Sequence, residues 1–284
     1  MKFEVFEPQS IEEAASLLSA KGDETRIIAG GQSLLLMIRS GLVRPRSLVS
    51  LNALTELTEI KLTRENNLFI GALATHRQIS SSPYIADRAN VLSQAVSRIG
   101  STPVRNFGTL GGNLCHNEMG SDPPTALLAL NATAECVSTR GKRKLPLAQL
   151  FTDYFETSLQ PDEILTGIEI PAYPATANGV YLKYTNRPGD LAIVGVAVLI
   201  AIRQGVCEDV RLALGGVGPV SFRAAQAEAL LRDRTFDDRT LDKVATAAAE
   251  ISDPISDAHA SANYRRKMVK VFVKRALTLA AKNA

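Results

Sequence analysis

The sequence predicts an α+β protein whose last third is a domain of its own, a β-meander followed by helices. Three observations carry this. Strand-like and helix-like runs alternate from the start to about Pro171. A glycine pair followed by an amide occurs twice in that part, at Gly30–Gly31 and Gly111–Gly112. Past residue 180, three long β-like runs come without a helix between them, and helical periodicity then holds to the end.

Taken in order, residues 1–60 read as strand, helix, strand, helix, strand. "SIEEAASLLSAKG" is an amphipathic helix with Ser10 as cap, Glu13 three residues on and Gly22 as stop. "TRIIAGG" is a short buried strand running into glycines. "SLLLMIRSGLVRP" follows as a helix stopped near Gly41 and Pro45, and "SLVSL" is a strand. From Leu62 the pieces lengthen. "NLFIGALAT" is a strand, and "HRQISSSPYIADRANVLSQAVSRIG" is helical with a break at Pro83. "PPTALLALNA" is a short helix, "AECVS" a strand, and "EILTGIEIP" an alternating strand ended by Pro171. The basic run "RGKRK" (Arg140–Lys144) reads as a solvated hairpin turn. "AYPATANG", around 172–180, is a hinge of low hydrophobicity. Turns at Pro188–Gly189 and Gly205 then divide the meander, and "AAQAEALLRD", "LDKVATAAAEIS" and "SANYRRKMVKVFVKRALTLAAK" are helices. The resulting divisions are 1–60, 61–172 and 173–284.

Composition excludes several classes. The chain of 284 residues is 45% hydrophobic and 21% charged, with a net charge of +3 that is too small and dispersed for nucleic acid or a membrane surface. No apolar run approaches the roughly 18 residues of a membrane span, and "MKFEVFEPQS" lacks the apolar core of a signal peptide. The three cysteines, Cys115, Cys136 and Cys207, never form CxxC, and His76, His116 and His259 show no ligand spacing. A cytoplasmic protein without a metal of its own is expected. No nucleophile–base pair or carboxylate dyad stands out, so no side chain is expected to do substrate chemistry.

The repeated motif is more informative. "RIIAGGQSLL" and "FGTLGGNLCH" both place an apolar residue before two glycines and an amide after them, Gln32 and Asn113. A strand ending in two glycines can curl successive N–H groups inward as an anion-binding nest. A helix starting just after, as at Ser33, adds its own free N–H groups. Two such loops suit a ligand with two linked phosphates; a pair of tight turns without ligand is the plainer alternative. GxxxxGK[ST] is absent, and "GGVGPV" (Gly215–Val220) lacks GxGxxG spacing, which disfavours P-loop and Rossmann sites. A diphosphate nucleotide held by a non-Rossmann fold, such as flavin adenine dinucleotide (FAD), remains.

"AGGQSLL", "TLGGNLCHNEMGSDPP", "PDEILTGIEIP", "YLKYTNRPGDLAI" and "SANYRRKMV" together resemble the flavoprotein (medium) subunits of molybdenum hydroxylases, the carbon monoxide dehydrogenase and xanthine dehydrogenase family. The resemblance covers nearly the whole chain. It implies a two-subdomain FAD-binding fold of the vanillyl-alcohol-oxidase (PCMH) type, followed by the C-terminal flavoprotein domain. It assigns Ile28, Ala29, Gly30, Gly31, Gln32 and Ser33 to one side of the pyrophosphate, and Thr109, Gly111, Gly112 and Asn113 to the other. Asp122 matches an acidic residue of the flavin surroundings, although a helix N-cap before Pro123–Pro124 would explain it equally well. Leu165 matches a backbone contact on the adenine side. Lys183 matches a lysine near the flavin; an ordinary strand-surface lysine is the alternative. Two positions depart from the pattern: Ile99 and Leu191 stand where relatives carry aromatic rings.

The resemblance also implies partners. A large subunit carries a molybdenum–pterin centre, a small subunit carries two [2Fe-2S] clusters, and this chain's FAD passes electrons to an external acceptor, in a dimer of heterotrimers. A self-sufficient flavin reductase would instead need activity of the isolated chain with NADPH. A flavin-free assembly subunit would be colourless.

Overall fold

The computed structural model describes residues 3–174 and 176–282; Ala175, inside the expected hinge, lies outside them. The chain opens with β1 (Glu4–Phe6), α1 (Ile11–Lys21), β2 (Thr25–Ile28), α2 (Leu34–Arg39) and β3 (Ser47–Ser50). The three strands form a parallel sheet ordered β1-β3-β2. Ser10 caps α1 by accepting from the Glu13 N–H, and Gly22 ends the helix at φ 67°. Ala14, Ala15 and Leu18 pack the inner face of α1 against Val49 and Leu51 of the sheet.

The second unit runs β4 (Ile60–Leu62), β5 (Leu68–Gly71), α3 (His76–Ser81), α4 (Pro83–Arg88), α5 (Asn90–Val96), α6 (Thr102–Phe107), α7 (Leu110–His116), α8 (Asp122–Ala129), β6 (Thr133–Ser138), β7 (Gly141–Pro146), β8 (Phe151–Asp153), β9 (Glu156–Thr157) and β10 (Ile164–Ile170). Its main sheet is antiparallel, ordered β4-β5-β10-β6-β7. The helical stretch breaks at Pro83, as expected, because proline occupies the first position of α4.

Two local expectations are corrected here. The basic run is not mainly a turn: only Thr139 and Arg140 turn, and Gly141–Pro146 is the edge strand β7. Acids on neighbouring strands and loops compensate its charges. Arg140 meets Asp162 at 2.8 Å, Arg143 meets Glu163 at 2.6 Å, and Lys144 lies between Glu135 and Glu169. Charged side chains on an exposed edge also discourage pairing with another sheet. The second correction is that Gly111 and Gly112 do not follow a strand; they form the first turn of α7.

The last unit is β11 (Ala177–Tyr184), β12 (Val194–Arg203), β13 (Val206–Gly215) and β14 (Phe222–Arg223), an antiparallel meander in sequence order, then α9 (Ala225–Ala229), α10 (Asp238–Glu250) and α11 (Ala262–Lys282). β11 already begins at Ala177, so the expected hinge is shorter than 172–180. β12 reads as a nearly unbroken apolar run because both its faces are covered. Ala197 and Leu199 join the core of the second unit, while Val196, Val198 and Ile200 join the core under α10 and α11. Alternation of strand side chains thus welds the meander to the unit before it. Arg265 of α11 is 2% exposed and donates to the Ile193 and Gly216 carbonyls at 2.8 and 2.9 Å and to Asp257 at 2.6 Å. Among the described residues, no helix is long and apolar enough to cross a membrane.

Candidate cofactor cleft

A cleft of about 790 Å³ opens between the first two units and is flanked by the start of the meander. All the residues assigned above line it: Ile28 to Ser33, Ile99, Thr109, Gly111 to Asn113, Asp122, Leu165, Lys183 and Leu191. Its volume falls in the usual range for small-molecule sites.

The first wall is the strand-to-helix loop after β2. Gly31 has φ +69°, a conformation that glycine adopts without the Cβ penalty. The Gln32 amide closes the loop on the Gly30 carbonyl at 3.1 Å. Ser33 caps α2 without a side-chain bond, leaving its hydroxyl free. Among the described residues, the N–H groups of Gln32 and Ser33 make no bond to a backbone carbonyl outside regular structure. This wall therefore has the free donors expected of a nest.

The second wall is built differently. The N–H groups of Leu110 and Gly111 donate to Ala74 and Ala72 at 2.9 and 2.7 Å. That of Gly112 is taken by the Thr109 hydroxyl oxygen at 3.1 Å, and that of Asn113 by the Thr109 carbonyl at 3.0 Å. Its glycines serve approach instead. A Cβ on Gly111 would stand 2.6 Å from Ala72 Cβ, whereas one on Gly112 would meet only Thr109 Oγ1, at 2.9 Å. Gly112 thus presents bare backbone to the cleft. The Asn113 amide donates to Ser121 Oγ at 2.9 Å, while its Oδ1 is buried with no partner among the described residues. The two walls meet where a Cβ on Gly30 would fall 1.9 Å from the Phe107 carbonyl oxygen.

Asp122 is not the N-cap of α8; Ser121 holds that position and Asp122 begins the helix, 3% exposed. Its carboxylate accepts from Lys183 Nζ at 2.8 Å and from the Tyr181 hydroxyl at 2.6 Å. Burial pushes the Asp122 carboxyl up, and Lys183 and Tyr181 oppose that. The Lys183 side chain is 3% exposed, so it is no surface lysine. Burial, with Asp122 adding to it, holds the Tyr181 hydroxyl well above its ordinary range, so it stays a donor.

Leu165 is buried at a bulge of β10 where that strand leaves regular register with β6. Leu191 stands at the mouth with more than half its surface exposed, on a loop pinned by the Ala192 N–H donating to the Gly120 carbonyl at 3.0 Å. Gly189 lies so near Gly100 that a Cβ would be 3.0 Å from the Gly100 oxygen. Ile99, beside Gly100, is kept in place by Arg105, which donates to the Ile99 and Gly100 carbonyls at 2.7 and 3.1 Å.

His76 is a core residue at the start of α3, where Thr75 is the cap, in a capping box with Gln78. It lines the cleft, is 3% exposed, and its Nδ1 has no partner. Burial first, and Arg105 second, pull its pKa down to about 4. Tyr181 is the residue that sequence reasoning missed. The available signal was its spacing: two residues before Lys183, it shares that lysine's strand face.

An unpartnered buried amide oxygen, free N–H groups on one wall and a glycine backbone on the other fit an elongated ligand with a pyrophosphate and hydrogen-bonding groups, as FAD has. Comparisons with known proteins agree. Residues 1–173 match the family described as FAD binding domain in molybdopterin dehydrogenase, and residues 180–280 match the CO dehydrogenase flavoprotein C-terminal domain. The chain is similar to 6-hydroxypseudooxynicotine dehydrogenase complex subunit alpha of Paenarthrobacter nicotinovorans, 34% identical over 99% of this chain and 95% of the relative. It superposes on a chain of carbon monoxide dehydrogenase from Hydrogenophaga pseudoflava with a TM-score of 0.97 and 33% identity, covering 99% of this chain and 98% of that one. For quinoline 2-oxidoreductase from Pseudomonas putida 86 the TM-score is 0.94 and the identity 32%, over 100% and 98% of the two chains. The chain belongs to the family of FAD-binding flavoprotein subunits of molybdenum hydroxylases.

Proposed function

We propose that this chain is the electron-transfer subunit of a cytoplasmic heterotrimeric hydroxylase, assembled as a dimer of heterotrimers. It takes electrons from two [2Fe-2S] clusters of a small partner subunit and passes them to an external acceptor. A large subunit with a molybdenum–pterin centre hydroxylates a small substrate. The substrate is chosen on that large subunit; quinoline 2-oxidoreductase, among the similar proteins, is named for an N-heterocycle. The observation that carries this reading is the convergence of the family-matched residues on one cleft, in a chain alike to these subunits over its whole length.

Bound FAD supplies the redox chemistry, accepting electrons from the clusters and releasing them to the acceptor. The chain's own residues bind and tune it. The N–H groups of Gln32 and Ser33, with the Ser33 and Thr109 hydroxyls, hold the pyrophosphate. Asn113 Oδ1 accepts a hydrogen bond that no protein group supplies. Lys183 sets a positive charge at the cleft wall, and Asp122 fixes where that charge sits. Ile99 and Leu191 give the flavin aliphatic neighbours and leave the mouth open to an acceptor.

Co-expression with the partner subunits, heat release of the chromophore and its absorption spectrum and mass test this reading. One FAD per chain is expected. Absence of flavin from both the isolated chain and the complex would sink it.

A further inference from the structure

We infer that Tyr181 is a positioning residue for the flavin's charged neighbour: its hydroxyl holds the Asp122 carboxylate and, through it, the Lys183 ammonium at the cleft wall. The hydroxyl donates to Asp122 Oδ1 at 2.6 Å, and Lys183 Nζ donates to Oδ2 at 2.8 Å. Tyr181 is 1% exposed and is not among the residues lining the cleft, so it acts on a ligand only through Asp122.

The fold makes room for this hydroxyl in particular. Gly195 of β12 lies beside β11, and a Cβ there would fall 2.9 Å from Tyr181 Oη. Gly195 is in register with Gly215 of β13, whose Cβ would fall 2.2 Å from Thr125 Oγ1 of α8. Two glycines side by side thus let the first turn of α8, with Asp122, sit down on the sheet against Tyr181. The backbone of Tyr181 is held as well, its N–H donating to the Gln94 side chain of α5 at 2.9 Å. A phenylalanine would fill the same space, so the hydroxyl is present for Asp122.

The consequence is electrostatic. Between two donors, both oxygens of the buried carboxylate are held in place, one by a cation and one by a neutral phenol. Without the phenol the carboxylate leaves that fixed place and takes the Lys183 ammonium with it, so less positive charge faces the charge that reduction adds to the flavin. This inference rests on the reading of the cleft as the FAD site.

The test is Tyr181→Phe in the full chain, purified with its partner subunits. FAD content is expected to match wild type, and the melting temperature to fall by only a few degrees for the donor that the buried carboxylate loses. The flavin midpoint potential is expected to fall, the equilibrium between oxidised and reduced flavin shifting about tenfold, or about 30 mV for a two-electron couple. In a Lys183→Met background the same substitution should shift the potential by less than a third as much, because the hydroxyl works through the ion pair. Gly195→Ala pushes on the same hydroxyl while keeping the tyrosine. It should move the potential in the same direction, and it keeps the test available if Tyr181→Phe does not fold. An unchanged or raised potential, or a full additive shift in the Lys183→Met background, would overturn the inference. Wild-type complex without FAD would overturn the reading of the cleft instead.

Discussion

The two glycine pairs look alike in sequence and do different work. Gly30–Gly31 follows a strand, and beyond it the N–H groups of Gln32 and Ser33 stay free. Gly111–Gly112 opens a helix whose first N–H groups are all occupied by the protein. One wall offers donors; the other offers close approach. A matched motif therefore reports a shared ligand surface without reporting how each copy meets it. The two members within each pair differ too, since Gly30 and Gly111 face protein whereas Gly112 faces the cleft.

The two walls are most sensitive where they meet. Gly30→Ala would bring a Cβ to 1.9 Å from the Phe107 carbonyl oxygen, a backbone atom no rotamer can move. A loss of about 3 kcal/mol or more in stability is expected, and FAD binding with it, measured by denaturant unfolding of the purified chain. Acid should separate the walls next, because only the second carries a buried histidine. His76 takes up a proton near pH 6.5 when unfolded and only near pH 4 when folded. Its contribution is complete above pH 6.5 and is lost as the pH falls towards 4, by an amount on the order of 3 kcal/mol. His76→Gln should flatten unfolding free energy against pH across that window; an unaltered slope would show that the acid sensitivity lies elsewhere.

Gly112→Ala should spare the fold. Alanine favours a helix over glycine by about 1 kcal/mol, which offsets disturbance of the Thr109 cap. FAD affinity should drop at least about tenfold, because a methyl group then occupies cleft space. Gly31→Ala is the mildest change, costing about 1 kcal/mol for its positive φ while its Cβ meets only the movable ends of the Leu35 and Ile28 side chains. Thermal melts of the apoprotein with and without added FAD would rank all three glycine variants.

Most of the fold was legible where local signals agree. The Ser10 cap, the Pro83 break and the Gly205 turn each act over a few residues, and each falls where expected. The basic run was misread because its partners, Asp162, Glu163 and Glu169, lie twenty or more residues away. The second glycine pair was misread for a similar reason: Ala72, which occupies the Gly111 N–H, is contributed by a distant loop. The residues that line the cleft were named from the family motifs, but not their mutual bonds. Asp122 and Lys183 are 61 positions apart, and only the docking of α8 on the meander joins them.

In the proposed site a cleft-facing glycine wall and a donor-bearing loop together grip FAD. The most direct measurement is the FAD content and apoprotein melting temperature of wild type and Gly112→Ala, purified side by side. One FAD per wild-type chain is expected, with less in the variant after dialysis, a Kd for added FAD at least about tenfold higher, and apoprotein melting temperatures that agree closely. Equal FAD in both proteins would contradict it, since a Cβ at Gly112 has only Thr109 Oγ1 and the cleft to meet.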